Sequence, residues 1–454
     1  MKNLILMLSC LFIYGAYANE DACIAARTNI VDKIKCLKKV KIKSITRYSL
    51  QYQKIEMTFT QPMDHQDSGS QQFEQRIVLL HKNIDEPMLL QTSGYAIFGV
   101  RPAHIARVFG TNQLQIEHRY FENSIPQKPD WKLLNIKQSA DDFHAITVAF
   151  QKIYKKPWVN TGASKGGMTS TYHRYFYPDD VVGTVADVAP LSFSTTDQRY
   201  NYFLENVGGE DYRTCRENWK ELQLKLLENR DLLLLRIQGH FSQLGSSDVA
   251  FEHSVIEAPF YFWQYGNPAR CAKIPVNGTI EEMFQFLQSV AAINDYTDKK
   301  LTRFISYFYQ AGTELGGPDN VTYHLEHLRK HEFQISQYTP KGEELIYSNE
   351  MMKKIKKWAE NEADEILYIY GEFDPWTAAE YPMSKVGKNT TKLYVPAGNH
   401  GANFTKLVGK AKLQAYSIIG KWLEKKPQSM TKSKVVHTPA LEDIEFELRK
   451  ELKL

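Results

Sequence analysis

Apolar side chains at every second position, Ile55, Met57 and Phe59, mark a strand-rich stretch between Gln51 and Thr161. A period of two places all three on one face of a sheet. The short apolar runs Ile77-Val78-Leu79-Leu80 and Met88-Leu89-Leu90, then residues 114–117, predict further strands. Between Asn135 and Tyr154 the period lengthens. Phe143, Ile146, Phe150 and Ile153 recur at helical spacing, and Ser139 with Asp142 reads as a capping box. A strand-like Trp158-Val159-Asn160-Thr161 follows, then a helix over residues 165–177 stopped by Pro178, then a buried strand over 181–188. Strands alternating with helices in this way predict an α/β class, with a mostly parallel sheet covered on both faces.

The rhythm changes at Ser192. From there to about Trp358 the chain is aromatic and helix-like, with a strongly apolar stretch at 222–235 and few strand runs. Strand patterns resume at Ile366-Leu367-Tyr368-Ile369-Tyr370 and at 392–395, followed by an amphipathic helix over 406–423. The predicted organisation is a signal segment (1–18), the first part of the sheet domain (19–190), an inserted helical cap (191–360), the second part of the sheet domain (361–424), and a charged C-terminal extension (425–454) that ends in a short helix.

Composition sets bounds on this picture. The chain has 454 residues, 43% hydrophobic and 24% charged, an ordinary globular balance and long enough for a large domain with an insertion. Lys2, an apolar run from Leu4 to Ile13 and the small-x-small Ala16-Tyr17-Ala18 predict a cleaved export signal, hence a secreted or periplasmic protein. The apolar run before Cys10 is too short for a lipoprotein signal, and no later stretch reaches the ~20 apolar residues of a membrane span. Cleavage leaves Cys23, Cys36, Cys215 and Cys271, an even set in a chain bound for an oxidising compartment. Of the three possible connectivities, Cys23 with Cys36 and Cys215 with Cys271 give the more local loops and are favoured. Formal charge is only +4. The basic clusters at 38–43 and 353–357 are interleaved with apolar residues, as on solvated faces of secondary structure, so no nucleic-acid partner is expected.

Chemistry enters at Gly162-Ala163-Ser164-Lys165-Gly166, a G-x-S-x-G pattern between a strand and a helix. Glycines on both sides of Ser164 allow the sharp reversal that aims its hydroxyl into open space, making it a candidate nucleophile. Such a serine needs a base and an acid to orient that base, in the chain order Ser, acid, His, each after a strand. Asp374, in Gly371-Glu372-Phe373-Asp374-Pro375-Trp376, and His400, in Pro396-Ala397-Gly398-Asn399-His400-Gly401, stand in those places. Glu372 is a rival acid one step earlier in the turn. An oxyanion hole would take the main-chain N–H of Lys165 and that of Gly94 or Tyr95, just after the strand at 88–90. His324, His327 and His331 are spaced to line one face of a helix. Without an H-E-x-x-H pattern, and with only Glu326 and Glu332 nearby, they read as a solvated cap helix, not a metal site.

With the elbow, Glu117-His118-Arg119-Tyr120-Phe121, Tyr309-Gln310-x-x-Thr313-Glu314 and Asp374-Pro375-Trp376, the chain over about 51–423 resembles the secreted bacterial serine peptidases typified by prolyl tri- and tetrapeptidyl aminopeptidases. These are distant relatives of lysosomal prolyl carboxypeptidases and dipeptidyl peptidases, which tend to carry an aromatic where this chain has Lys165. The resemblance implies an α/β-hydrolase core with a helical cap and the triad Ser164, Asp374 and His400. It also implies release of short peptides from a free N-terminus, with no cofactor. A cap carboxylate could hold the substrate α-ammonium, and the candidates are Glu314, Glu205 and Glu210. Aromatic residues such as Tyr200, Tyr202, Phe203, Phe260-Tyr261-Phe262-Trp263 and Trp376 suit a proline ring before the cut, though aromatics also build ordinary core. An esterase or lipase would use the same triad. A non-catalytic binding protein on this fold would have lost one of its members.

Overall fold

The computed structural model describes residues 20–385 and 389–428. The predicted export signal, Cys10 and the terminal helix of the C-terminal extension lie outside the described residues. The described chain forms two compact units: 20–161, 172–183 and 419–428 in the first; 162–171, 184–385 and 389–418 in the second.

The first unit is built on β1 (Val40–Arg47), β2 (Gln53–Pro62), β3 (Gln72–His81), β4 (Met88–Thr92), β5 (Asn112–Ile116) and β6 (Trp158–Ala163). Their order across the sheet is β1-β2-β3-β5-β4-β6. β1, β2 and β3 form an antiparallel meander, β3 pairs antiparallel with β5, and β4 runs parallel to both β5 and β6. Ile55, Met57 and Phe59 of β2 are buried, as their alternation requires. β1 was not visible in the sequence because nearly all its side chains are exposed, leaving no apolar alternation to read. Helix α1 (Ile136–Gln151) lays Phe143, Ile146 and Phe150 on Leu79, Leu90 and Leu114 of the sheet.

Two expectations shift in this unit. The cap of α1 is Asn135, whose extended backbone lets its side-chain oxygen accept from the Gln138 N–H. Ser139 is already inside the helix and donates back to the Asn135 carbonyl at 2.9 Å, so the predicted Ser139/Asp142 box does not form. Asp142 instead accepts from the Nε and Nη2 of buried Arg119, at 2.7 and 2.8 Å. The Glu117-His118-Arg119 motif is therefore structural: Glu117 accepts from the Ile97 N–H and the Ser124 hydroxyl. Cys23 and Cys36 are disulfide-bonded.

In the second unit, β7 (Gly183–Asp187), β8 (Ile366–Gly371) and β9 (Thr390–Val395) pair in parallel, in that order. α2 (Lys165–Phe176) follows β6. Between β7 and β8 lie helices, chief among them α3 (Arg199–Asn206), α4 (Arg213–Glu228), α5 (Ser247–Tyr265), α6 (Ile280–Val290) and α7 (Glu350–Asn361); α8 (Gly409–Trp422) closes the unit's chain. Trp219, Leu222, Val255, Phe262 and Leu287 form the centre of a core built from these helices, and the Cys215–Cys271 disulfide ties α4 to the segment after α5.

Pro259 lies inside α5, where its missing N–H leaves the Val255 carbonyl without its helical donor. Gln223 of α4 supplies one through Nε2, at 2.9 Å.

The predicted histidine helix is absent. Only Tyr323–Leu325 makes a single tight turn. His324 Nε2 hydrogen-bonds Gln223 Oε1 at 3.0 Å and His331 Nε2 meets Asp248 at 3.1 Å, so these rings diverge to separate partners. Groups of three or more potential metal ligands do not occur among the described residues. Nor is any described helix long and apolar enough to cross a membrane.

The succession of parallel strands, connecting helices and a sharp strand-to-helix turn at Ser164 makes this an α/β-hydrolase fold.

Candidate active site

Ser164 sits between β6 and α2 with φ at +56°, in the left-handed region that non-glycine residues rarely adopt. Two hydrogen bonds hold it there. Its N–H donates to the Asp187 carbonyl at 2.9 Å, and its carbonyl accepts from the Met168 N–H at 2.9 Å as the first turn of α2. A Cβ at Gly162 would overlap the Gly166 carbonyl, and one at Gly167 would stand 2.9 Å from both Asp187 O and Ala189 Cβ. The glycines are thus required by backbone crowding around the turn. Unlike its buried neighbour Lys165, Ser164 keeps part of its surface accessible.

Asp374 follows β8 and His400 follows β9. His400 Nδ1 and Asp374 Oδ2 are 2.7 Å apart, and both side chains are buried. The other carboxylate oxygen of Asp374 accepts from the Trp376 N–H at 3.2 Å. Burial pushes the Asp374 carboxyl above its ordinary value, while the neighbouring imidazole pulls the other way. Nδ1 of His400 is thus engaged by the carboxylate. Glu372 is exposed and accepts from the Ala397 N–H at 2.9 Å, which braces the histidine loop from outside. The geometry therefore pairs His400 with Asp374 and not with Glu372.

The histidine loop is also fastened to α5. His400 N–H donates to the Gln264 carbonyl at 2.9 Å, and Asn399 Nδ2 reaches the Tyr265 and Gly266 carbonyls at 3.3 and 3.2 Å. Around His400, the Tyr265 ring packs edge-on at 6.1 Å and the Trp376 ring lies at 6.0 Å. Trp376 also meets Tyr200 at 5.6 Å and Phe260 at 5.3 Å. Its Nε1 is buried with no partner among the described residues. Tyr202 points to solvent, 74% exposed, whereas Phe203 packs on the helical core.

Lys165 opens α2, where helix geometry gives its N–H no acceptor four residues back. Burial drives its side-chain ammonium well below the usual lysine value, and the Glu314 carboxylate opposes that shift. Gly94 and Tyr95 follow β4 in the first unit, and the Tyr95 N–H donates to Ser93 Oγ at 3.0 Å.

Each anticipated cap carboxylate has a basic residue as a neighbour. Glu314 acts on Lys165, Glu205 lies 3.8 Å from Lys220, and solvent-exposed Glu210 lies 3.9 Å from Arg213. The sequence reading passed over Glu257, on α5 two turns before Tyr265. Tyr296 donates to it at 2.5 Å and Tyr261 hydrogen-bonds it as well. One signal was available: Glu257, Tyr261 and Tyr265 recur every four residues along the helix.

Comparison with known proteins places this site in a lineage. The family model described as PS-10 peptidase S37 matches residues 26–449, running further at both ends than the resemblance read from motifs. Prolyl tri/tetrapeptidyl aminopeptidase of Streptomyces mobaraensis is 34% identical over 442 residues, covering 94% of this chain and 91% of that protein. Among solved structures, proline iminopeptidase of Mycobacterium smegmatis aligns at 14% identity with a TM-score of 0.35, covering 76% of this chain and 91% of that one. The peroxisomal alpha-beta-hydrolase Lpx1 of Saccharomyces cerevisiae aligns at 12% identity with a TM-score of 0.36, covering 89% and 99%. A family match over most of its length, and a relative this similar from end to end, establish that the chain belongs to the PS-10 peptidase S37 family and is a serine-type peptidase.

Proposed function

We propose that this protein is an exported exopeptidase that releases tripeptide-like units from free N-termini, with proline favoured just before the cut. Ser164 is the nucleophile, His400 the base and Asp374 the residue that orients the base. His400 Nε2 takes the hydroxyl proton as Ser164 Oγ attacks the carbonyl carbon before the scissile bond. The developing oxyanion is met by the N–H of Lys165. As the C–N bond breaks, His400 gives that proton to the departing amine. Water, deprotonated by His400, then frees the peptide from the acyl-enzyme. Buried Asp374 stabilises the imidazolium in each half-reaction. Trp376 offers a flat apolar wall for a proline ring and an N–H for a peptide carbonyl.

The observation that carries the chemistry is the 2.7 Å bond from His400 to Asp374 in the same unit as a serine held at positive φ. Substrate class rests on the activity named for the Streptomyces relative, and export on residues 1–18 together with the two disulfides. The test compares Ala-Ala-Pro-coumarylamide with its N-acetylated form, with a proline-free analogue and with short acyl esters. Preferential cleavage of the free proline peptide is expected. Equal cleavage of free and acetylated peptides, or activity confined to the esters, would overturn the exopeptidase reading.

A further inference from the structure

Helix α5 connects the histidine loop to a carboxylate. Glu257, Tyr261 and Tyr265 stand at i, i+4 and i+8, on one face of that helix. At its C-terminal end, Tyr265 packs on His400 and the main chain is hydrogen-bonded to the histidine loop. Tyr261 stacks on Tyr265 at 6.2 Å and hydrogen-bonds Glu257. A second wall leaves His400 through Trp376 and Tyr200, and Tyr307 acts electrostatically on Tyr200 and is itself acted on by Glu257. A line of aromatic rings thus runs along α5 from the histidine to the acid.

Glu257, Tyr261 and Tyr307 lie deep in the protein yet each retains some accessible surface. The groups facing Glu257 are phenols: Tyr261, Tyr296, Tyr307 and Tyr338, with Asp295 beyond Tyr261. Among the described residues no lysine, arginine or histidine acts on Glu257. An enclosed carboxylate with hydrogen-bond donors but no counter-cation is a site for a cation from outside. Glu205 and Glu210 differ from it in having one inside the protein.

We propose that Glu257 is the residue that binds the substrate α-ammonium, and that α5 fixes how many residues separate that ammonium from Ser164. The proposal rests on the peptidase reading of Ser164, Asp374 and His400 given above. Eight residues of helix span about 12 Å. Three extended residues span about 10 Å and four about 13 Å, comparable with the rise from Glu257 to Tyr265. Burial without a cation raises the Glu257 carboxyl to about 7, and an arriving ammonium would restore its charge.

The test measures kcat and KM for free and N-acetylated Ala-Ala-Pro-coumarylamide in wild type, Glu257→Gln, Glu257→Asp and Glu314→Gln, each titrated for active sites with a fluorophosphonate. Wild type is expected to favour the free peptide by about a hundredfold or more. In Glu257→Gln that preference should fall to threefold or less, mostly through KM, with partial recovery in Glu257→Asp. Glu314→Gln should keep it. A preference retained in Glu257→Gln, or lost only in Glu314→Gln, overturns the assignment while leaving the peptidase reading intact. Wild type that labels but ignores both peptides overturns the peptidase reading itself. Should Glu257→Gln fail to fold, the assignment is judged on Glu257→Asp. Its preference must fall at least fivefold, and an unchanged ratio counts against Glu257.

Discussion

Single residues carry the chemistry, and their identities follow from what each step demands. Ser164→Ala should lower peptide turnover by about 10⁴-fold or more with little change in melting temperature, since it removes one hydroxyl from a partly exposed site. Turnover retained in that variant, or fluorophosphonate labelling at another residue of the wild type, would refute the nucleophile. Asp374→Asn should cost a similar order in kcat because the imidazole loses the anion that fixes its tautomer, whereas Glu372→Gln should matter little. The reverse ranking would make Glu372 the acid.

Glu257 links activity to stability. Its carboxyl is raised to about 7 in the folded protein, against about 4.3 unfolded. Folding is therefore opposed once the unfolded group ionises, and opposed in full above pH 7. Glu257→Gln should melt higher than wild type at pH 8, by the equivalent of roughly 1–3 kcal/mol after allowance for residual exposure, and the gap should close by pH 4. Melting curves at pH 4, 6 and 8 decide this; a gap independent of pH would contradict it. The proposed triad could be named from the sequence because residue types, chain order and strand ends all constrain it together. Glu257 could not, since its meaning comes from phenols on three other segments that no local pattern joins to it.

At the scale of elements, a long-loop cross-link should outweigh a short one. Cys215 and Cys271 are 56 residues apart and Cys23 and Cys36 only 13. Loop entropy assigns about 4 kcal/mol to the first and about 3 to the second. Replacing Cys215 and Cys271 by serine should therefore lower the melting temperature more than replacing Cys23 and Cys36. Equal or inverted losses would mean that strain or residual structure in the unfolded chain governs. Strands with an apolar face, such as β2, and buried ones, such as β8, could be read from the sequence because burial writes a pattern. β1 left none, its side chains being mostly in water. The three histidines show the opposite failure: helical spacing was present, but the chain turns after Leu325, and the rings of His324 and His331 find partners on distant segments.

For the whole molecule, sequence order alone indicated the class: strand and helix alternation, a long helical interval between β7 and β8, then the acid and the histidine after the last two strands. The proposed product length depends on more than the triad, because it is set by the separation of a carboxylate on α5 from Ser164. The most direct measurement is mass spectrometry of the products from a mixed peptide library incubated with the purified protein and with its Ser164→Ala variant. The account predicts N-terminal tri- and tetrapeptides ending mainly in proline, released only by the wild type and only from unblocked chains. Internal fragments, C-terminal single residues or products indifferent to N-terminal acetylation would contradict it.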